Sequence, residues 1–209
     1  MNEPSPIRIM SVDDHPLLRE GLAALINNQP NMILIAQAST AQEGIAEFRK
    51  HQPDIALMDL RLPDKSGIEA LRTIRAEFPQ ARVIMLTTFE GDVEIQRALE
   101  AGAQGYILKS MPPKDLLDVI VQVHAGKKRI PTQVAAQLAE HLSDEALTQR
   151  EIEVLIQLAG GNRNRDIGEK LFITEETVKV HIKHIMDKLG ASDRTQAVAI
   201  ALRRGIIQL

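Results

Sequence analysis

The sequence predicts an α/β fold, a doubly wound domain on a five-stranded parallel sheet, followed by a small all-α domain. Three observations carry this reading. Through residue 125, five short apolar runs alternate with helical stretches, a pattern that needs right-handed crossovers and a parallel sheet covered on both faces. From Leu147 onward no strand signal survives and helix punctuation takes over. The length of 209 residues exceeds one small core and suits two, because typical domains run to roughly 100 to 150 residues.

The elements follow in order. IRIMSV is read as the first strand, with a helix from Pro16, and MILIAQA as the second, with a helix from Thr40. IALMD leads to a helix from Ser66, VIMLTT to one near Asp92, and GYILK to one near Met111. Gly126 reads as a helix C-cap, and KKRIP breaks the pattern with basic residues and Pro131. These signals bound a first domain at 5–125, a linker at 126–143 and a last domain at 144–209. Within the linker, QVAAQLAEHL has the pattern of a short helix. In the last domain Thr148 and Glu151 form a capping box, with Leu147 and Ile152 placed as its hydrophobic staple. Gly160 and Gly161 end that helix, and helices of about 164–171, onward to Leu189, and from Ser192 to Gly205 complete the chain.

Composition narrows the function classes. Apolar residues at 44% and charged residues at 25% are an ordinary globular balance. The absence of cysteine excludes disulfides, thiol catalysis and Cys-ligated zinc. The start MNEPSPIRIM lacks an apolar signal core, and no apolar run approaches the roughly 18 residues of a membrane span. A cytoplasmic protein with no membrane partner is the expectation. The net charge of −3 is unevenly spread: 12 basic residues face 17 acidic ones in 1–125, 3 face 1 in 126–143, and 10 face 10 in 144–209. Four Phe, one Tyr and no Trp supply too few rings to stack single-stranded bases, so any nucleic acid bound is expected to be duplex DNA.

In open parallel sheets, functional groups project from the carboxyl ends of the strands. There the first strand ends in Asp13 and Asp14, the third in Asp59, the fourth in Thr87 and the fifth in Lys109. Each residue alone also reads as a cap, a turn residue or a solvated charge. Together, three carboxylates at one edge call for a hard divalent cation, which for oxygen ligands means Mg²⁺. Adding a hydroxyl and a lysine makes the group a kit for phosphoryl transfer. Position 61 is arginine rather than a second carboxylate able to activate water, so a phosphoaspartate should persist and no enzyme turning over a separate substrate is expected. His15 is a candidate for that base, but an exposed loop histidine before Pro16 is the better reading.

On these residues the first domain resembles the receiver domain of response regulators, with its flavodoxin-like fold. The resemblance implies that Asp59 is the phosphoacceptor. It further implies that Asp14, Asp59 and the backbone carbonyl of Arg61 ligate Mg²⁺, with Asp13 assisting through water, and that Thr87 and Lys109 hold the phosphoryl oxygens. Tyr106, three residues before the lysine, matches the family's switch aromatic, which follows the movement of Thr87. One departure is Ser110, where the family usually has proline after the lysine; a cis bond there would carry the non-proline penalty of about 3 kcal/mol.

In the last domain, laying Glu176–Leu189 out at 100° per residue puts Val178, Ile182, Ile185 and Leu189 on one stripe. Opposite lie Val180, Lys183, His184 and Asp187, with Lys179 at the margin. A small solvated bundle with a charged face would show the same spacing. An outward valine beside lysines also suits a thymine methyl and a guanine edge in the major groove. Thr174, as N-cap, turns the start of this helix outward, where its dipole favours phosphate and Glu175 and Glu176 oppose it.

LTQREIEVL, GNRNRDIGEKLFITEETVKVHIKHIMDKLG and DRTQA resemble the LuxR-type helix-turn-helix of the NarL/FixJ class, with Gly168 where alanine is usual. The resemblance implies a DNA-facing set of Thr177, Lys179, Val180, Lys183, His184, Lys188 and Arg194, with Lys179, Val180 and Lys183 on bases. His181 and His184 are then not metal ligands. The implied protein is a two-component response regulator that takes its phosphoryl group from a cognate histidine kinase or a small-molecule phosphodonor and binds DNA as a homodimer. Two other classes stay open: an aspartyl phosphatase, and a module whose helical domain grips another protein.

Overall fold

The computed structural model describes residues 5–88, 91–140 and 145–207, and the chain divides into two compact units. The first unit runs β1 (Ile7–Val12), α1 (Pro16–Asn27), β2 (Met32–Ala38), α2 (Ala41–His51), β3 (Ile55–Asp59), α3 (Gly67–Glu77), β4 (Val83–Thr87), α4 (Asp92–Glu100), β5 (Gly105–Leu108) and α5 (Pro113–His124). The five strands form one sheet in the order β2-β1-β3-β4-β5, every pair parallel.

The central strands β3 and β4 are buried along their whole length, whereas β2, at one edge, is only partly covered. That is why IALMD and VIMLT read as unbroken apolar runs. Ile9, Leu57, Leu86 and Ile107 join Leu22 and Ile26 of α1 and Ile120 and Val123 of α5 in a single core. α2 packs close to the sheet: a Cβ at Gly44 would meet the Val12 side chain at 2.8 Å. The opposite edge, β5, is partly covered by the basic segment after Gly126. Arg129 N–H donates to the carbonyl of Gln104, and the Arg129 carbonyl accepts from Tyr106 N–H, both within 3.0 Å. The KKRIP segment therefore extends the sheet by one bridge beyond the domain end expected at residue 125.

Local signals set the helix starts. Thr40 accepts from Glu43 N–H, Ser66 from Ile68 N–H, and the Asp64 carboxylate takes the first two amides of α2, Ala41 and Gln42. α5 begins at Pro113 rather than near Met111, because Pro112 and Pro113 have no N–H and a fixed φ that suits the cap and first helical position. The C-cap of α5 is Ala125, and Gly126, expected to be the cap, follows it at φ 84°. The short helix expected in the linker is α6 (Thr132–Glu140); the remaining linker positions 141–143, and residue 144, lie outside the described residues.

The second unit carries α7 (Gln149–Ala159), α8 (Asn164–Leu171), α9 (Glu175–Leu189) and α10 (Arg194–Arg203). The capping box is formed: Thr148 Oγ1 accepts Glu151 N–H at 3.3 Å, and Glu151 Oε2 accepts Thr148 N–H at 2.7 Å. Val154, Leu155, Ile167, Val178, Ile185 and Ala201 make the core, with Leu147 and Ile152 packed against it. Phe172 ends α8 in the left-handed region at φ 55°. The turn is tight enough that a Cβ at Gly168 would lie 2.7 Å from the carbonyl oxygen of Ile173, which accounts for glycine at that position. α10 starts at Arg194, two residues later than expected from Ser192, because the Asp193 carboxylate captures Thr195 N–H and Gln196 N–H.

Candidate phosphoacceptor site and nucleic-acid interface

At the carboxyl ends of β1, β3 and β5 the sheet brings Asp13, Asp59 and Lys109 together. The Lys109 ammonium lies 2.6 Å from Asp13 Oδ2 and 2.8 Å from Asp59 Oδ2. The surrounding backbone fixes them. Lys109 N–H donates to the Thr87 carbonyl at 2.7 Å, joining the ends of β4 and β5. Arg19 donates to the Asp13 carbonyl at 2.7 Å, pinning the β1 loop. Arg61 N–H donates to Asp59 Oδ1 at 3.3 Å, and Arg61 bridges to Ser66. Behind Asp59 the chain folds so closely that a Cβ at Gly67 would sit 1.9 Å from the Asp59 carbonyl oxygen. Gly67 is a residue the sequence reading passed over; its place directly after the Ser66 cap was the available signal.

Asp13, Asp59 and Thr87 are buried, and Asp14 is partly exposed. Burial raises the Asp59 carboxyl above the ordinary range, and the Lys109 hydrogen bond only partly offsets this. Burial also pulls on Lys109 in the opposite sense, but the two carboxylates outweigh it and hold the ammonium above its usual value. Two acids thus converge on one ammonium. Asp13 Oδ2 is buried and pairs with the Lys109 ammonium at 2.6 Å, with no further hydrogen-bond partner among the described residues. A buried carboxylate oxygen left in that state fits a cation site. One ligand atom each from Asp13, Asp14, His15 and Asp59 lies within 4.8 Å of all the others, so the set can hold a divalent ion. His15 is the exposed residue before Pro16 that the sequence suggests, and its Nδ1 lies 2.7 Å from Asp14 Oδ1 and 3.2 Å from Asp13 Oδ1. Tyr106 is completely buried on β5.

On the second unit, the stripe expected to face inward does so, with Val178, Ile182 and Ile185 buried and Leu189 half-buried. Val180 is 52% exposed on the other side of α9, and Lys183, His184 and Arg194 are exposed. The Thr174 hydroxyl accepts from Thr177 N–H at 3.1 Å and lies 2.8 Å from the Thr177 hydroxyl. Lys179 is exposed and paired along the helix with Glu176 at 2.7 Å and Glu175 at 3.4 Å.

Lys188 departs from the expectation that it faces DNA. Its side chain is 14% exposed and its ammonium is held by Glu151 at 3.0 Å, Glu145 at 3.1 Å and the carbonyl of Ala146. The reason is the capping box, which buries the Glu151 carboxylate and needs a nearby countercharge. Burial would raise Glu151, but the Thr148 amide and Lys188 prevail and lower it, while Glu151 and Glu145 raise Lys188.

Two family models match these units: the response regulator receiver domain over residues 9–121, and bacterial regulatory proteins of the luxR family over 145–201. The transcriptional regulatory protein YxjL of Bacillus subtilis (strain 168) is 41% identical, over 97% of this chain and 98% of its own. The crystal structure of the response regulator ChrA of a heme-sensing two-component system is 35% identical with a TM-score of 0.59, over 98% of this chain and 100% of that one. RcsB from Salmonella enterica serovar Typhimurium, solved bound to a promoter in the presence of phosphomimetic BeF3⁻, has a TM-score of 0.74 over 94% of this chain and 98% of its own; at 24% identity it shows the shared fold. With an acid cluster and lysine at the strand ends of one unit and a helix-turn-helix in the other, this chain belongs to the response-regulator family, as a DNA-binding member with a LuxR-type output domain.

Proposed function

We propose that Asp59 accepts a phosphoryl group and that this controls dimerisation and sequence-specific binding of duplex DNA by the helix-turn-helix, regulating transcription. The observation that carries the reading is the Lys109 ammonium within 2.8 Å of both Asp13 and Asp59 at one sheet edge. An Asp59 carboxylate oxygen forms a bond to phosphorus as the P–N bond of a phosphohistidine, or the P–O bond of an acyl phosphate, breaks. The leaving group departs with the bonding pair. Lys109 and the Thr87 hydroxyl then hold the phosphoryl oxygens. Asp14, Asp59 and the Arg61 carbonyl would hold Mg²⁺, with Asp13 assisting, and the ion would offset charge on the phosphoryl group. Tyr106 follows Thr87 and passes the change to the receiver surface. The receiver occupies 5–125, the linker 126–143 and the DNA-binding domain 144–209.

On DNA, Val180 and Lys183 meet base edges from the exposed face of α9. Lys179 joins them by exchanging its surface ion pairs, which are weak enough to give up. Thr177, His184 and Arg194 flank this face, and Lys188 is left out because its ammonium is committed to Glu151. The exposed valine between lysines favours DNA over a protein partner, since an apolar docking face would need a contiguous patch. The phosphoryl donor is a histidine kinase or a small acyl phosphate, and the protein acts in the cytoplasm. The test is intact mass after incubation with acetyl phosphate and Mg²⁺: one acid-labile phosphoryl group on the wild type and none on Asp59→Asn. Equal labelling of both would remove Asp59 from its role.

A further inference from the structure

We propose that His15 is a ligand of the receiver cation, adding a nitrogen donor that shifts the site's preference from Mg²⁺ toward borderline transition ions. The inference rests on the cation site of the preceding section and adds to it a residue that the oxygen-only ligand set leaves out. His15 occupies the N-cap position of α1 but makes no side-chain cap, so its imidazole is not spent on the helix. It turns instead toward the acids, with Nδ1 2.7 Å from Asp14 Oδ1 and 3.2 Å from Asp13 Oδ1. Around a six-coordinate ion with bonds of about 2.1 Å, neighbouring ligand atoms stand about 3.0 Å apart and opposite ones about 4.2 Å. The two His15 distances bracket the neighbouring value. With ligand atoms of Asp13, Asp14, His15 and Asp59 all within 4.8 Å of one another, the imidazole is within reach of an ion that Asp14 and Asp59 would hold. Among the described residues Asp13 Oδ2, buried with no hydrogen-bond partner, meets only the Lys109 ammonium that it shares with Asp59, so three carboxylates have a single lysine among them.

The chemistry follows from the donor types. Carboxylates suit Mg²⁺ and Mn²⁺ alike, whereas a neutral imidazole contributes little to the hard Mg²⁺ ion and more to Mn²⁺, Co²⁺ or Zn²⁺. The His15 side chain is 68% exposed, so replacing it leaves the core intact and isolates the ligand effect.

The experiment uses the full-length protein at pH 8 with Mn²⁺ as the probe. Electron paramagnetic resonance gives the Mn²⁺ affinity, competition gives that of Mg²⁺, and electron spin-echo modulation reports nitrogen bound to the ion. The wild type is expected to show ¹⁴N coupling, and His15→Ala to lose it. In His15→Ala the preference for Mn²⁺ over Mg²⁺ falls about tenfold, with Mg²⁺ affinity moving less than about threefold. His15→Asn, which offers an amide oxygen near the same place, should keep Mg²⁺ binding and lose the nitrogen coupling. Mn²⁺ binding without ¹⁴N coupling in the wild type, or an unchanged preference in His15→Ala, overturns the role of His15 while leaving the acid site standing. Failure of the wild type to bind Mn²⁺ at all overturns both.

Discussion

Two carboxylates, Asp59 and Glu151, are buried to opposite effect. Asp59 is held above its ordinary range, chiefly by burial. A folded state that holds a proton more tightly than the unfolded chain loses stability as pH rises past the unfolded carboxyl value of about 3.9 and through the higher folded value. Ionising Asp59 therefore weakens the fold. Asp59→Asn removes that charge while Lys109 keeps Asp13. We predict that in metal-free buffer at pH 7 it is more stable than the wild type by about 1 kcal/mol in urea unfolding; a less stable variant would show that the Lys109 pair outweighs desolvation. Glu151 has the reverse sign. Its folded value is lowered, so its contribution is present above about pH 4.3 and vanishes as pH falls through the folded value. Glu151→Gln is expected to cost about 1 to 2 kcal/mol at pH 7. The difference should close under acid, and a gap that persists at pH 2.5 would assign the loss to packing.

Among the elements, the loop from β3 to α3 and the helix α9 matter most. Gly67 lets α3 start against the Asp59 carbonyl, so β3 and its following helix are set by one missing methyl group. Gly67→Ala is expected to destabilise by about 3 kcal/mol or more, measured by denaturant midpoint, whereas Gly21→Ala, with open space around it, should be tolerated. In α9, Lys183→Ala should change stability by less than about 0.5 kcal/mol yet weaken operator binding by about 1 to 3 kcal/mol and relax base preference at one position per half-site. Equal loss on operator and scrambled duplex, with a salt slope flatter by about one unit, would make Lys183 a phosphate anchor. Most of this level was legible in the sequence, because strands buried on both faces leave apolar runs and Thr148, Thr40 and Ser66 announce their helices. What was hidden depends on contacts between distant residues. Lys188 looks like any surface lysine until the buried Glu151 is placed 37 positions away, and Asp64 gives no sign that it caps α2. His15 was read as a neighbour of Pro16 because nothing in the spacing says which way a loop imidazole turns.

For the whole molecule, acid gathers in the receiver and not in the helix-turn-helix domain: 17 acidic residues face 12 basic ones in 1–125, against 10 and 10 in 144–209. A balanced reading domain has little electrostatic affinity to spare for non-specific duplex, so its binding should depend on base contacts and on pairing of two copies at two half-sites. On the proposed function, the state of Asp59 sets that pairing and so the DNA affinity. The most direct test is a titration of one operator duplex, at fixed salt, with the untreated wild type, the wild type treated with acetyl phosphate and Mg²⁺, and Asp59→Asn given the same treatment. Coupling of typical size, about 1.4 kcal/mol, predicts roughly tenfold tighter binding by the treated wild type, with Asp59→Asn remaining at the untreated level. Equal affinity of treated and untreated wild type, or an equal gain in Asp59→Asn, would contradict phosphoryl control of DNA binding through Asp59.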